Sequence, residues 1–407
     1  MKRTSVLLRQ HIGWHFEKHW RVQGKRKPLN TGAEKILKER NIPFCQPEDI
    51  IQEKRVFEKV EIVGFKNKPV VFDKTHPDWH DRPVLSYKDN NVLLEGLTQA
   101  KVLTKSVEVK EGLPENIVLE DIPKDIKKHV KNIILSSCVF DAEQKKLPKI
   151  KDPERPAWNF PRFYGITQNR ANKLLMSRLL QLIESTCGRD DLVNERYLFN
   201  DLLFSFPFER HGDLIQFQLS GDTVITSSKP LSPITGVSTE SLELPDITPV
   251  KPTITLVKDN IYKLEKSFPI KSFVSKLHPH TIFTRYNKEE VKNLFEEEVT
   301  EAQIFGRSLL KAFTVSASYA RYQFGDDVGQ LPKPVTVQSV QTDGQFYHFG
   351  VFQLNTLDLE KGDVKNVWYQ TPLLYLYDKC CYVLGKPTLE GYNKEVVKHL
   401  YAFYNSV

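Results

Sequence analysis

Residues Phe346 to Leu354 put large side chains on both faces of an extended chain. Phe346, Phe352 and Leu354 fall on one face, and Tyr347, Phe349 and Val351 on the other. A strand that is apolar on both faces belongs inside a sheet covered on two sides. Val335, Thr336, Val337 and Val340 read as a preceding strand. Between the two, Asp343-Gly344 suits a two-residue type I′ turn, whose central residues need positive φ. The pattern predicts a buried hairpin within 334–359 at the centre of the fold. A two-residue turn sets Thr342 opposite Gln345 and Gln353 opposite Pro334.

Around this hairpin the chain alternates between helical and extended patterns. Helices are expected over 91–105, 123–140 and 168–187, the last capped by Thr167 and ended by Gly188. A longer one is expected from Asn287, with Glu290 at the capping-box position, to Gly325. Its apolar stripe contains the small residues Ala302, Gly306, Ser316 and Ala317, which let another element approach closely. A last helix starts at Asn393 and buries Val396, Val397, Leu400 and Phe403. Strands are expected over 202–206, 214–219, 223–226 and 366–369, with turns at 211–213 and at Gly221-Asp222. Residues 227–260, rich in Ser, Thr and Pro, read as a long surface loop. The fold class is therefore mixed α/β (α+β): a central sheet with a buried hairpin, covered by helices. A globular domain spans 91–407, preceded by an extended basic arm over 29–90 and a presequence over 1–28.

Charge separates the two ends of the 407-residue chain. Residues 1–170 carry 33 Lys and Arg against 23 Asp and Glu; residues 171–407 carry 25 against 28. A basic front on a nearly neutral back points to a polyanion partner for the front. The first 28 residues contain one acid, Glu17, and interleave basic residues with Val6, Leu7, Ile12, Trp14, Phe16 and Trp20. A basic, acid-poor, amphipathic start reads as a mitochondrial presequence. His11, His15 and His19 would share one helix face, but no carboxylate or thiol accompanies them, so no metal is expected there. Five scattered cysteines form no C-x-x-C pair and suit a reducing, non-secretory compartment. No apolar run of about 18 residues is present, so no transmembrane helix is expected.

Two proline-broken, aromatic, basic stretches are the candidate nucleic-acid contacts. The first supplies Lys54, Arg55, Lys66, Lys68 and Arg82; the second supplies Lys145, Lys146, Lys149, Lys151, Arg155 and Arg162. Lys and Arg neutralise phosphate, and the neighbouring Trp158, Phe160, Phe163 and Tyr164 have faces on which unpaired bases can stack. The alternative is a connecting loop whose rings anchor it to the core.

Catalytic patterns are sparse. The chain has no phosphate-cradling glycine loop, no G-x-S-x-G elbow and no H-E-x-x-H. Ser339 and His348 lie near each other across the expected hairpin, without a carboxylate to orient the imidazole. A helix followed by a hairpin is compatible with nucleases of the PD-(D/E)xK type, which hold Mg²⁺ through an Asp and an E-x-K. Here Lys333-Pro334 and Gln353-Leu354-Asn355 occupy those positions, and Asp343 is about 30 Å of strand away from Gln353. No catalytic residue, cofactor or metal is assigned.

Several stretches carry a family resemblance. They are Val337-Gln338-Ser339-Val340, Thr342-Asp343-Gly344, Val351 to Thr356 and Val364-Lys365-Asn366, together with the helix containing Phe305-Gly306. Upstream they are Leu93 to Leu97, Gln99-Ala100, Leu103-Thr104-Lys105 and Glu111 to Glu115. Together they resemble the family of mitochondrial large ribosomal subunit protein thirty-seven. The hairpin segment is also similar to a paralogous mitochondrial ribosomal protein called programmed cell death protein nine. The resemblance implies a non-catalytic constituent of the mitochondrial large ribosomal subunit in the matrix. Its implied partners are large-subunit rRNA and other mitochondrial ribosomal proteins, the paralogue among them, with no small-molecule substrate. The alternatives are a mitochondrial RNA-processing enzyme of nuclease descent and a non-ribosomal mitochondrial scaffold.

Overall fold

A computed structural model of the chain describes residues 32–45, 75, 79–109, 112–123, 125–147, 149, 154–155, 157–158, 163–186, 190–234, 243–245, 257–261, 267–270, 275, 277–293, 297–384 and 386–407. The presequence and most of the expected arm lie outside them. The chain divides into two units, Met1–Val70 and Val71–Val407. In the first, α1 (Ala33–Glu39) has no buried residue.

The second unit contains, in order, β1 (Trp79–Lys88), α2 (Gly96–Thr104), β2 (Ser106–Glu108), α3 (Ile126–Cys138), β3 (Lys145–Lys146) and β4 (Tyr164–Gly165). Next come α4 (Gln168–Thr186), α5 (Asp190–Asn194), β5 (Arg196–Arg210), β6 (Asp213–Ser227), β7 (Val257–Ile261) and β8 (His278–Arg285). The remainder is α6 (Glu301–Phe324), β9 (Gln330–Thr342), β10 (Phe346–Thr356), β11 (Asn366–Gln370), β12 (Leu374–Tyr375), β13 (Lys379–Val383), β14 (Lys386–Glu390) and α7 (Lys394–Asn405). Among the described residues, ten strands form one mixed sheet of order β2-β11-β10-β9-β8-β6-β1-β7, with β12 beside β10 and β5 beside β6. The β2/β11, β8/β9 and β1/β6 pairs are parallel.

β10 is interior, as its two apolar faces require. Phe352 and Leu354 join Val337, Trp368 and the α6 residues Leu309, Phe313 and Ala317 in one core. Tyr347, Phe349 and Val351 join Val130 and Ile134 of α3, Leu175 and Leu179 of α4, and Leu400 and Phe403 of α7 in another. The sheet is thus sandwiched between α6 and a layer of three helices.

Several expectations are corrected. Tyr347, not Gln345, stands opposite Thr342, so Gln353 faces Thr336 rather than Pro334. The turn is longer than two residues because Asp343 Oδ1 accepts the backbone N–H of both Gln345 and Phe346, each at 2.8 Å. Gly344 has φ 97°, while Asp343 does not take the positive φ of a type I′ turn. The shift is by two residues, so every side chain keeps its predicted face.

α6 starts at Glu301 rather than after Asn287. Thr300 and Gln303 form its capping box: Gln303 N–H donates to Thr300 Oγ1 at 3.4 Å and Thr300 N–H to Gln303 Oε1 at 3.1 Å. Asn287 instead closes a turn through Glu289 and Val291. The expected break at Gly221-Asp222 does not occur. β6 runs through it, and Asp222 accepts the backbone N–H of Arg285 on β8 at 2.6 Å. The turn at His211-Gly212 is present, with φ of 48° and 79°. Residues 79–88, expected in the arm, form β1 inside the sheet, and 257–260, expected in the loop, belong to its antiparallel neighbour β7.

Candidate nucleic-acid interface

β3 and β4 form a two-stranded hairpin apart from the main sheet, with Lys145 opposite Gly165 and Lys146 opposite Tyr164. Directly opposed residues share a face, so Lys146 and Tyr164 sit together while Lys145 lies on the other side. Leu147 N–H donates to Phe163 O at 2.8 Å and extends the pairing. Leu147 lies under Gly165, where a Cβ would meet its Cδ1 at 2.8 Å. The base is a charge chain. Arg170 on α4 bonds Asp141 and reaches Glu143 at 2.5 Å, and Glu143 reaches Lys145 at 3.0 Å. The Arg170 hydrogen bond holds the Asp141 carboxyl below its ordinary value, and the Lys145 hydrogen bond does the same for Glu143.

Of the eleven basic residues named from the sequence, Lys145, Lys146, Lys149 and Arg155 are described with their side chains, and all four are exposed. Arg82 lies in β1, with its side chain outside the described residues, as are Lys54, Arg55, Lys66, Lys68, Lys151 and Arg162. Trp158, Phe163 and Tyr164 are exposed as well, so these rings are not core anchors.

The buried polar groups do other work. Asn366 is fully buried; its Oδ1 accepts the N–H of Asn355 at 2.8 Å and of Thr356 at 3.0 Å. Its Nδ2 donates to Thr104 O at 2.8 Å and Thr356 O at 3.1 Å. Lys105, in left-handed conformation after α2, donates its Nζ to Asp358 O at 2.9 Å and to Lys361 O. Gln353 Oε1 accepts Ile234 N–H at 2.6 Å, its Nε2 donates to Asn355, and Asn355 Nδ2 donates to Lys365 O. The amides at the nuclease-like positions are thereby engaged in holding backbone.

His348 bonds Ser308 on α6 at 2.9 Å and stacks on Phe305; the expected neighbour Ser339 faces Gly350 instead. Burial pushes the His348 imidazole down to about 3. Arg307 and Lys311, one turn apart on α6, meet the end of β1: Arg307 donates to Asp89 O, and Lys311 Nζ lies 2.6 Å from Asp89 Oδ1. Burial, then the Arg307 charge, lowers the Lys311 ammonium to about 8. Burial opposes ionisation of Asp89, but the Lys311 charge and hydrogen bond outweigh it and hold its carboxyl below its ordinary value. The sequence signal for this cluster was two cations four residues apart inside an apolar helix, which demand a buried acid.

Comparison with known proteins finds relatives among mitochondrial ribosomal proteins. The family described as Mitochondrial 28S ribosomal protein S30 (PDCD9) matches residues 273–407. Large ribosomal subunit protein mL37 of Rattus norvegicus is 29% identical over 323 residues, covering 76% of this chain and 70% of that protein. The Bos taurus mL37 is 28% identical over 348 residues, covering 81% and 76%. The Mus musculus mL37 is 28% identical over 321 residues, covering 76% and 70%. The chain is thus similar to mL37 over most of its length.

In this chain several of the stretches that carried the resemblance meet in space. Thr104 and Lys105, Gln353 to Thr356, and Asn366 all take part in the hydrogen-bond network around Asn366 and Lys105. Gly96 and Gly306 touch where α2 crosses α6. The network joins the end of α2 to β10 and β11. Among the described residues, no helix is long and apolar enough to cross a membrane.

Proposed function

We propose that this chain is a non-catalytic structural constituent of the mitochondrial large ribosomal subunit, held there by rRNA and by neighbouring ribosomal proteins, the paralogous family member among them. The observation that carries the reading is similarity to mL37 over 76–81% of the chain. Its place of action is the mitochondrial matrix, on the mitochondrial ribosome. The charge division supports RNA contact through the front of the chain, at Lys54, Arg55, Lys66, Lys68, Arg82, Lys145, Lys146, Lys149, Lys151, Arg155 and Arg162, with protein contacts through the near-neutral back. The enclosure of the Ser308–His348 pair in the core supports a structural role, since a nucleophile must reach its substrate.

The test is sedimentation of the tagged full-length chain from mitochondria. It is expected with the large subunit; a chain found free in the light fractions rejects the ribosomal reading in favour of the scaffold. Purified protein with Mg²⁺ or Mn²⁺ is expected to leave RNA intact. Cleavage that disappears on changing Gln353 or Asn355 reverses the non-catalytic assignment.

A further inference from the structure

Three aromatic rings stand in solvent on the basic hairpin and the segment leading to it. Trp158 is 62% exposed, Phe163 60% and Tyr164 68%. One exposed ring is ordinary; three within seven residues, none of them in the core, call for a partner. From the rings and their cationic neighbours we infer that the β3–β4 hairpin binds unpaired RNA nucleotides, whose bases stack on Phe163 and Tyr164 while Lys146, Lys149 and Arg155 take the adjoining phosphates. This rests on the RNA-contact reading above and adds the class of RNA and the residues that read it.

Each ring has a basic residue close by in the backbone pairing or in the same turn. Lys146 lies directly across from Tyr164 on one face of the hairpin. Lys145 is the diagonal neighbour of Phe163 on the other face, because consecutive strand residues point to opposite sides. Trp158 and Arg155 share one turn, the Trp158 backbone N–H donating to Arg155 O at 3.0 Å. A protein-docking patch would gather apolar side chains around the rings. Here the one aliphatic cross-strand neighbour, Leu147 opposite Phe163, is half-buried against Gly165, and the other cross-strand neighbours of the two rings are the exposed Lys145 and Lys146. Ring beside cation is the pattern that suits a stacked base and its phosphate.

The same geometry selects unpaired RNA. In a duplex the base faces are already stacked on each other, and the major groove is too deep and narrow for side chains to read. Phe163 and Tyr164 project from opposite faces of a narrow two-stranded hairpin, so successive bases must part to reach both. Lys145 is already drawn to Glu143 at 3.0 Å, which leaves Lys146 as the better placed phosphate ligand on the hairpin.

The experiment measures binding of the purified full-length chain to a short single-stranded RNA of mixed sequence and to the duplex made with its complement. Phe163→Ala and Tyr164→Ala are each expected to weaken single-strand affinity about tenfold, with duplex affinity and melting temperature unchanged. Lys146→Glu is expected to weaken both RNAs and flatten the salt dependence. If the ring variants bind the single strand as wild type does while Lys146→Glu still weakens both, stacking is overturned and the RNA-contact reading stands. If wild type binds neither RNA, both fall. If the ring variants keep full RNA affinity but leave the large-subunit fractions, the rings dock on protein and the inference is overturned.

Discussion

Gly306 on α6 rests directly against Gly96 at the start of α2. A Cβ on Gly306 would lie 2.7 Å from the carbonyl carbon and oxygen of Gly96. A Cβ on Gly96 would lie 2.5 Å from the backbone of Ala302, and Gly96 has φ 56°. Backbone cannot swing aside as a side-chain tip can, so any side chain here separates the two helices. Gly306→Ala is expected to cost about 1–3 kcal/mol, read as a lowered urea midpoint. An unchanged midpoint would show that the helices separate without loss.

Asn366 satisfies four backbone groups from inside the core. Replacing it with Ala leaves two N–H donors and two carbonyls short of partners in a site without solvent. Asn366→Ala is expected to lose about 2–4 kcal/mol, and Asn366→Asp to recover only the acceptor half of that loss. Equilibrium unfolding of the two variants separates the contributions; equal stability of Asp and Asn at this position contradicts the argument.

The central hairpin gives a third expectation. Phe352 is fully buried against Phe313 and Trp368, so Phe352→Ala is expected to cost about 3–5 kcal/mol. Gly344 holds φ 97°, and a side chain there would collide with Asn172, so Gly344→Val is expected to cost about 1–3 kcal/mol. Thermal melting of both variants is the measurement; wild-type melting in both would remove the hairpin from the centre of the fold.

Two buried histidines contribute to the acid sensitivity. Burial, helped by the Arg196 charge, lowers the His280 imidazole from 6.5 to about 3, and burial alone does the same for His348. Below pH 6.5 the unfolded chain takes up protons that the folded chain refuses. Stability is therefore full above about pH 6.5 and falls as pH drops toward 3, by about 1.4 kcal/mol per pH unit for each histidine at most. Unfolding free energy measured from pH 7.5 to 5 is expected to slope less in His280→Gln and His348→Gln; parallel slopes would show that neither imidazole is held neutral.

The hairpin shows how far local reading reaches. Alternation placed Phe352 and Tyr347 on their correct faces, yet the turn was misjudged by two residues. A slip of two conserves every face, so hydrophobic pattern cannot detect it. The Asp343 carboxylate decided it by accepting two backbone N–H groups. Likewise Asn287 with Glu290 and Thr300 with Gln303 present the same cap signal, but only Thr300 begins α6. At the candidate interface, the sequence supplied the basic and aromatic residues but not whether the rings turned inward, and the register of Lys146 against Tyr164 needed the fold.

By itself, then, the sequence determined the mixed helix-and-strand class, the buried hairpin with its two apolar faces, the helices over α2, α3, α4 and α7, the family resemblance and the basic front. These rest on periodicity, turn chemistry and charge, which act over a few residues or over composition. Tertiary structure alone decided that β1 and β7 enter the sheet, that Lys311 finds Asp89, and that Lys105 reaches a carbonyl 253 residues further along the chain. A buried polar group must be satisfied, but which distant group satisfies it depends on how the strands are ordered, and no local pattern encodes that order.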